Sequence, residues 1–269
     1  FLPCRSEEEV RQTITGLCAR RLPEKMGIPA GEIQVLSPTR KGGVGTGELN
    51  RMLQGALNPS TPDKKERQFG DYIFREGDRV MQIRNNYDIL WKAADGTVGA
   101  GIFNGDVGII RRIDSQMEVL TVEFDDREAD YDFTQLNELE PAYAMTVHKS
   151  RGSEYRCVIL TCWNGSPYLL SRSVLYTAIT RARELLIIVG REETVAVMTE
   201  NAKKNYGDRY NTQHEGYAVL LEEVEEAEKE LDYIKNHLAM MWDSVKSDDT
   251  GDVKSNARVI ALDAVNLAK

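Results

Sequence analysis

Two stretches decide the reading: Ala142-Tyr-Ala-Met-Thr-Val-His-Lys-Ser-Arg-Gly-Ser-Glu-Tyr155, and Leu175-Tyr-Thr-Ala-Ile-Thr-Arg-Ala-Arg-Glu-Leu-Leu-Ile-Ile-Val-Gly190. Each sets hydroxyl and cationic side chains, joined in the first by the imidazole of His148, at the end of an apolar run short enough to be a buried strand. An open α/β sheet builds its ligand sites at such strand ends. Two of them, both rich in donors, point to a ligand that carries phosphates.

Working outward, Ala142 to Val147, Cys157 to Thr161 and Leu185 to Val189 read as strands, with helices over Ser173 to Arg181 and from Glu192 onward. Upstream, Ser6 to Arg21 has acidic residues early, basic residues late and Val10, Ile14, Leu17 and Cys18 at helical spacing, which suits the helix dipole. Ile33 to Leu36 is a short buried strand. The loop Thr39-Arg-Lys-Gly-Gly-Val-Gly-Thr-Gly47 leads from it into a helix over Glu48 to Leu57. Between these two α/β parts the texture is β-rich, with runs at Asp78 to Arg84, Gly105 to Ile113 and Glu118 to Phe124. Leu120, Val122 and Phe124 alternate with Val119, Thr121 and Glu123, so these strands are half-buried and of a length that suits a small barrel. Beyond residue 200 the sequence reads as an acidic all-α tail. The expected division is 1–74 and 140–200 for one parallel-sheet domain, 75–139 for an inserted β-barrel, and 201–269 for the helical tail.

The 269 residues carry 34 basic and 43 acidic side chains, a net charge of −9, which excludes a wholly basic nucleic-acid surface and leaves room only for a local cationic track. Cys4, Cys18, Cys157 and Cys162 form no CxxC pair, the pattern of reduced thiols in a cytoplasmic protein. No apolar run approaches the roughly 20 residues that span a bilayer, so no membrane partner is expected. No metal-ligand spacing is evident in the first 200 residues.

Arg181 is the cation best placed to meet charge developing on a γ-phosphate, a need of any site that transfers one between two domains. In isolation it would more simply pair with Glu184 or another carboxylate. Thr146, His148, Lys149, Ser150, Gly152 and Glu154 crowd one loop, where hydroxyls, an ammonium and backbone N–H groups can hold phosphates and Gly152 permits close backbone approach. A single histidine is commonly a structural hydrogen-bonder; His148 has polar neighbours on both sides.

On these residues the two stretches resemble the fifth and sixth motifs of superfamily 1 helicases of the RecD-like branch, with their UvrD-like C-terminal domain. The family pattern carries Gln where this chain has Arg151. Val35-Leu-Ser-Pro-Thr-Arg-Lys-Gly42 with Leu49-Asn50 is similar to the fourth motif region, and Gly77-Asp-Arg-Val-Met-Gln82 with Asn104-Gly-Asp-Val-Gly108 is similar to the Src-homology-3-like barrel inserted in these helicases. The resemblance covers about residues 5 to 200.

It implies a RecA-like parallel sheet flanked by helices, with Arg181 as arginine finger. Arg40, Gly152, Glu154 and Arg181 would then lie near the nucleotide, and Thr146, His148, Lys149 and Ser150 near single-stranded DNA. Asn85, Asn86 and Tyr87 of the barrel are further strand candidates, each with a turn role as the simpler reading. The implied cofactors are ATP and Mg²⁺, shared with a preceding RecA-like motor domain. No Gly-x-x-x-x-Gly-Lys-(Ser/Thr) run occurs in the sequence, and Gly42 to Gly47 lacks the lysine that would follow. The chain is therefore expected to be inactive alone and to be the C-terminal part of a longer helicase, a reading with which the Phe1 start agrees.

The tail stretch Tyr206 to Glu226 is similar to the first helix of MazG-like nucleotide pyrophosphohydrolases, where Glu222, Glu225 and Glu226 would be half of a metal site; a solvated acidic face is the plainer reading. Two readings of other classes thus stand beside the motor: a non-catalytic nucleic-acid-binding module, and a pyrophosphohydrolase fragment.

Overall fold

The computed structural model describes residues 1–166 and 168–201. The three expected tail helices, and Glu222, Glu225 and Glu226 with them, lie outside the described residues. The chain opens with strand β1 (Leu2–Pro3), helix α1 (Glu7–Gly16), a π-helical turn (Leu17–Arg21) and helix α2 (Leu22–Met26). Strand β2 (Ile33–Ser37) and helix α3 (Thr46–Leu57) follow. Then come the hairpin strands β3 (Glu66–Phe69) and β4 (Tyr72–Arg75), and β5 (Arg79–Gln82), β6 (Asn86–Ala93) and β7 (Val98–Ile102). The run ends with β8 (Val107–Asp114), β9 (Val119–Phe124), β10 (Arg127–Asp132) and β11 (Leu139–Pro141). The α/β texture returns in β12 (Ala144–Thr146), β13 (Tyr155–Cys162), α4 (Arg172–Ile179), β14 (Ala182–Gly190) and α5 (Glu192–Glu200).

Five strands form one sheet in the order β1-β14-β13-β2-β12, parallel at every pairing. Its central strand β13 is buried on both faces, and successive side chains serve opposite layers. Cys157 and Ile159 pack with Val10, Ile14, Leu49 and Leu53 of α1 and α3. Val158 and Leu160 pack with Val174, Ala178 and Met198 of α4 and α5. Helices therefore cover both faces, the expected α/β layering. Helix α1 is capped by Ser6, whose hydroxyl accepts from Glu9 N at 3.1 Å. The expected helix over Ser6 to Arg21 widens into the π turn after Gly16, with Leu17, Cys18 and Leu22 all buried.

The β-rich middle is a seven-stranded antiparallel sheet in the order β11-β5-β8-β9-β10-β6-β7, with β3 and β4 paired beside it. It encloses its own core of Phe74, Val80, Ile110, Leu120, Val122, Phe124 and Tyr131. Strands β6, β7 and β10 and the β3–β4 hairpin go beyond the three runs visible as strands in the sequence.

The two sheets are welded by polar side chains. Asp78 is 2 % exposed, and its carboxylate accepts from Asn58 Nδ2 at 2.7 Å, Tyr143 OH at 3.0 Å, Gln54 Nε2 at 2.5 Å and Arg75 N at 2.7 Å. Asn50 of α3 donates to Pro141 O at 3.0 Å and Ala144 O at 2.8 Å and accepts from Ala144 N at 2.7 Å. Ala142 N donates to Arg79 O at 2.8 Å, so the chain leaves the antiparallel sheet only after Ala142. That explains why β12 is shorter than the expected Ala142 to Val147 run. No described helix is long and apolar enough to cross a membrane.

Candidate nucleotide and nucleic-acid interface

The segment Thr146 to Tyr155 runs from one rim of the parallel sheet to the other. Thr146 is level with Ser37 at the carboxyl ends of β12 and β2, while Tyr155 starts β13 level with Ala182. Because Leu160 is level with Leu36, the rims are separated by six residues of β13, about 20 Å at 3.3 Å per residue.

At the carboxyl rim, Arg40 projects from the loop between β2 and α3. An added Cβ at Gly45 would meet the Arg40 and Lys41 carbonyl oxygens at 2.6 Å, so the loop closes this tightly only with glycine there. Arg40 Nη2 pairs with Glu140 Oε1 at 2.6 Å, and Lys149 Nζ pairs with Glu140 Oε2 at 2.6 Å. These three side chains line a pocket with Thr46, Asn50, Tyr72 and Thr146.

Past Thr146 the chain makes a 3-10 turn over Val147–Ser150. His148 and Arg151 are exposed and Lys149 is partly exposed. Burial of part of the imidazole, then the charge of Arg151, push the His148 pKa below its ordinary value. Ser150 is fully buried, and its hydroxyl donates to Val147 O at 2.7 Å; its expected place among the strand contacts thus becomes that of a brace for the turn. Gly152 sits at φ 86°, a left-handed conformation that a side chain would strain. Ser150→Ala should cost about 1 kcal/mol through loss of that one bond, read as a shift of the urea midpoint; no shift would remove the brace.

At the amino rim the two deciding stretches meet. Tyr155 N donates to Arg181 O at 2.8 Å, and Arg181 Nη1 donates to Ser153 O at 3.2 Å. Arg181 Nε and Nη2 donate to Thr177 O at 3.2 Å and Thr180 Oγ1 at 3.1 Å. The half-buried guanidinium therefore rests on neutral acceptors, with two of its five N–H groups beyond these three bonds. Glu184, the plain partner expected for Arg181, pairs instead with Arg156 at 2.7 Å, which also holds Glu32 at 2.9 Å. Glu154 is exposed next to this rim. Arg181 thus lies at the amino ends of β13 and β14 with Ser153 and Tyr155, whereas Arg40 and Thr146 lie at the carboxyl ends of β2 and β12 with the Lys149 side chain, and Gly152 sits on the turn between. The expected nucleotide group Arg40, Gly152, Glu154 and Arg181 is split between the rims, because parallel strands put the two termini of one connecting segment at opposite ends of the sheet.

Of the antiparallel-sheet candidates, Asn86 is committed to the fold, donating to Glu138 Oε2 at 3.0 Å and accepting from Asp88 N at 3.0 Å. Asn85 accepts from Asn104 N at 2.9 Å. Tyr87 is 67 % exposed and meets Phe103 edge-on at 5.7 Å. Phe103 and Glu140 were not singled out in the sequence. Only the fold brings the first against Tyr87 and the second between two cations. Among the described residues no group of three or more His, Cys, Asp or Glu side chains is set to hold a metal.

Two family models match stretches of the chain. Residues 49–124 match the family model of the ATP-dependent RecD-like DNA helicase SH3 domain, and residues 141–189 match that of the UvrD-like helicase C-terminal domain. The chain is 34 % identical over 166 residues to the ATP-dependent RecD2 DNA helicase of Deinococcus radiodurans, covering 62 % of this chain and 21 % of that protein. It is 27 % identical over 169 residues to the RecBCD enzyme subunit RecD of Mycolicibacterium smegmatis, covering 63 % of this chain and 27 % of that one. The chain therefore spans about a fifth to a quarter of these curated relatives. Among solved structures, Pif1 helicase from Bacteroides in complex with ADP-AlF3 and ssDNA is similar at a TM-score of 0.42 and 17 % identity, over 75 % of this chain and 48 % of that one.

Proposed function

We propose that this chain, two stretches of which match modules of RecD-like and UvrD-like helicases, acts as the second motor domain of an ATP-dependent DNA helicase. In this reading its amino rim faces a nucleotide shared with a preceding motor domain, and its carboxyl rim carries single-stranded DNA. Arg181 supplies positive charge to the phosphoryl group in transfer. Thr146, His148 and Lys149 contact the strand backbone, Ser150 fixes their turn, and Gly152 and Glu154 border the nucleotide. Arg40 sits with the strand rather than the nucleotide. Tyr87 offers an open ring face to an unpaired base. ATP brings the energy of phosphoryl transfer, and this chain's share is to place the guanidinium and close against the partner domain. Mg²⁺, in this reading, comes with the nucleotide on the preceding domain's side.

The observation that carries this reading is the junction of Arg181 with Ser153 and Tyr155. It joins a cation with neutral partners to the segment that leads to the carboxyl rim. Expressed together with its preceding motor domain, the chain should hydrolyse ATP to ADP and phosphate in a manner stimulated by single-stranded DNA. Hydrolysis indifferent to the strand would overturn the reading, and pyrophosphate release would favour the pyrophosphohydrolase.

The lowered pKa of His148 gives a pH test. A histidine whose folded pKa is depressed is mostly neutral at its ordinary value of about 6.5 and gains most of its charge at lower pH. Strand affinity should therefore owe little to imidazole charge between about pH 8 and 6.5, then rise on further acidification. His148→Gln should abolish that rise, measured by fluorescence anisotropy; a rise that persists in the variant would assign it elsewhere.

A further inference from the structure

At the carboxyl rim one carboxylate holds two cations from separate elements. Glu140 gives one oxygen to Arg40 and the other to Lys149, each at 2.6 Å. Two positive groups converge on one point only with an anion between them. The Arg40 arm of the clasp is poorly explained as a structural bond: its side chain is 59 % exposed, against 26 % for Lys149 and 18 % for Glu140, and a pair open to water contributes little to stability. Two adjacent anionic oxygens facing an ammonium and a guanidinium also describe a phosphodiester held by a lysine and an arginine. Glu140 lies on β11, whose backbone is fixed by pairing of Glu140 with Met81 of β5, so the side chain can swing away without loss of the strand.

We propose that Glu140 is a built-in stand-in for a nucleic-acid phosphate and sets the affinity of this rim for single-stranded DNA: a strand phosphate takes Arg40 and Lys149 as the carboxylate releases them. This rests on the strand-binding reading above. Each strand that binds must compete with an anion the protein carries itself, so the internal contact weakens binding and makes release easier.

The test uses the full 269-residue chain and a dye-labelled oligothymidylate followed by anisotropy. Glu140→Gln should bind at least about threefold tighter than wild type, with a steeper dependence on salt because more strand charge is neutralised. Glu48→Gln, which removes the same charge from a pair with Arg51 on α3, should bind as wild type does. Arg40→Ala combined with Glu140→Gln should lose the gain. Glu140→Asp keeps the charge on a shorter arm and should fall between wild type and Glu140→Gln, which guards against a folding defect in either variant. The inference is overturned if Glu140→Gln binds no tighter, if Glu48→Gln matches its gain, or if the gain survives loss of Arg40. Wild-type binding with an unresponsive Glu140→Gln removes this inference alone. Absence of any strand binding by the wild-type chain removes the strand reading and this inference together.

Discussion

Arg181→Ala, in a protein carrying both motor domains, should lower strand-stimulated ATP hydrolysis by about 10³-fold or more. A guanidinium that meets the phosphoryl group only as charge develops there lowers the barrier without strengthening ground-state binding. The loss should therefore fall on kcat rather than on KM. Arg181→Lys should recover little of it, because a point charge cannot keep bonds to Ser153 O, Thr177 O and Thr180 Oγ1 while reaching outward. Strand affinity provides the control and should remain near wild type; stability should fall modestly with the three charge-assisted bonds to neutral acceptors, so activity is compared where urea unfolding shows both proteins folded. Activity within about twofold of wild type would end the finger assignment, because typical losses are several hundred times larger.

The second large effect is on the fold. Asp78→Ala should destabilise the chain by about 3–5 kcal/mol, because it removes the acceptor for four donors at a buried junction. That is a large part of the 5–15 kcal/mol typical of a folded domain. The four donors come from α3, β4 and the approach to β12, so the loss loosens both sheets at their seam. Burial raises the Asp78 pKa against the pull of those donors. Its stabilising contribution is then full below the ordinary carboxylate range and declines as pH rises through the raised value. The penalty for the alanine variant should accordingly be greater in mildly acid solution than at neutral pH. Urea unfolding at two pH values checks both statements; a cost under about 1 kcal/mol, the worth of a single neutral hydrogen bond, would show that Asp78 is no hub.

The parallel sheet was legible because β2 and β13 are apolar runs bounded by turn residues, and burial on two faces demands that composition. The strands β6 and β7 were not, since Asn86–Ala93 has a single buried residue, Ile89, and Val98–Ile102 holds two glycines. Their pairing is specified across the hairpin: Trp91 lies opposite Gly99, and a Cβ there would come within 2.3 Å of the indole. The Asp95-Gly96 turn and the large-small pair were the available signals. The candidate site divides in the same way. Thr146 to Glu154 and Arg181 could be singled out as candidates because their chemistry is local to two short stretches, and the fold brings Ser153 and Arg181 together. The separation of Arg40 from Arg181 depends on strand direction and register, and the convergence of Arg40 and Lys149 on Glu140 depends on two chain crossings. Residue types carry neither.

The segment from Thr146 to Tyr155 is coiled rather than drawn out. Extended it would reach about 30 Å, yet it joins rims about 20 Å apart, and the excess length is taken up by the Val147–Ser150 turn and by Ser153 N donating to Ser150 O at 3.1 Å. Its middle is stiffened by the Ser150 brace and its far end is bolted to Arg181. A connector whose spare length is locked in bonded turns works as a strut while those bonds hold and as a spring once they open, so traction along a polymer on one side of the sheet and chemistry on the other would be geared through Ser150.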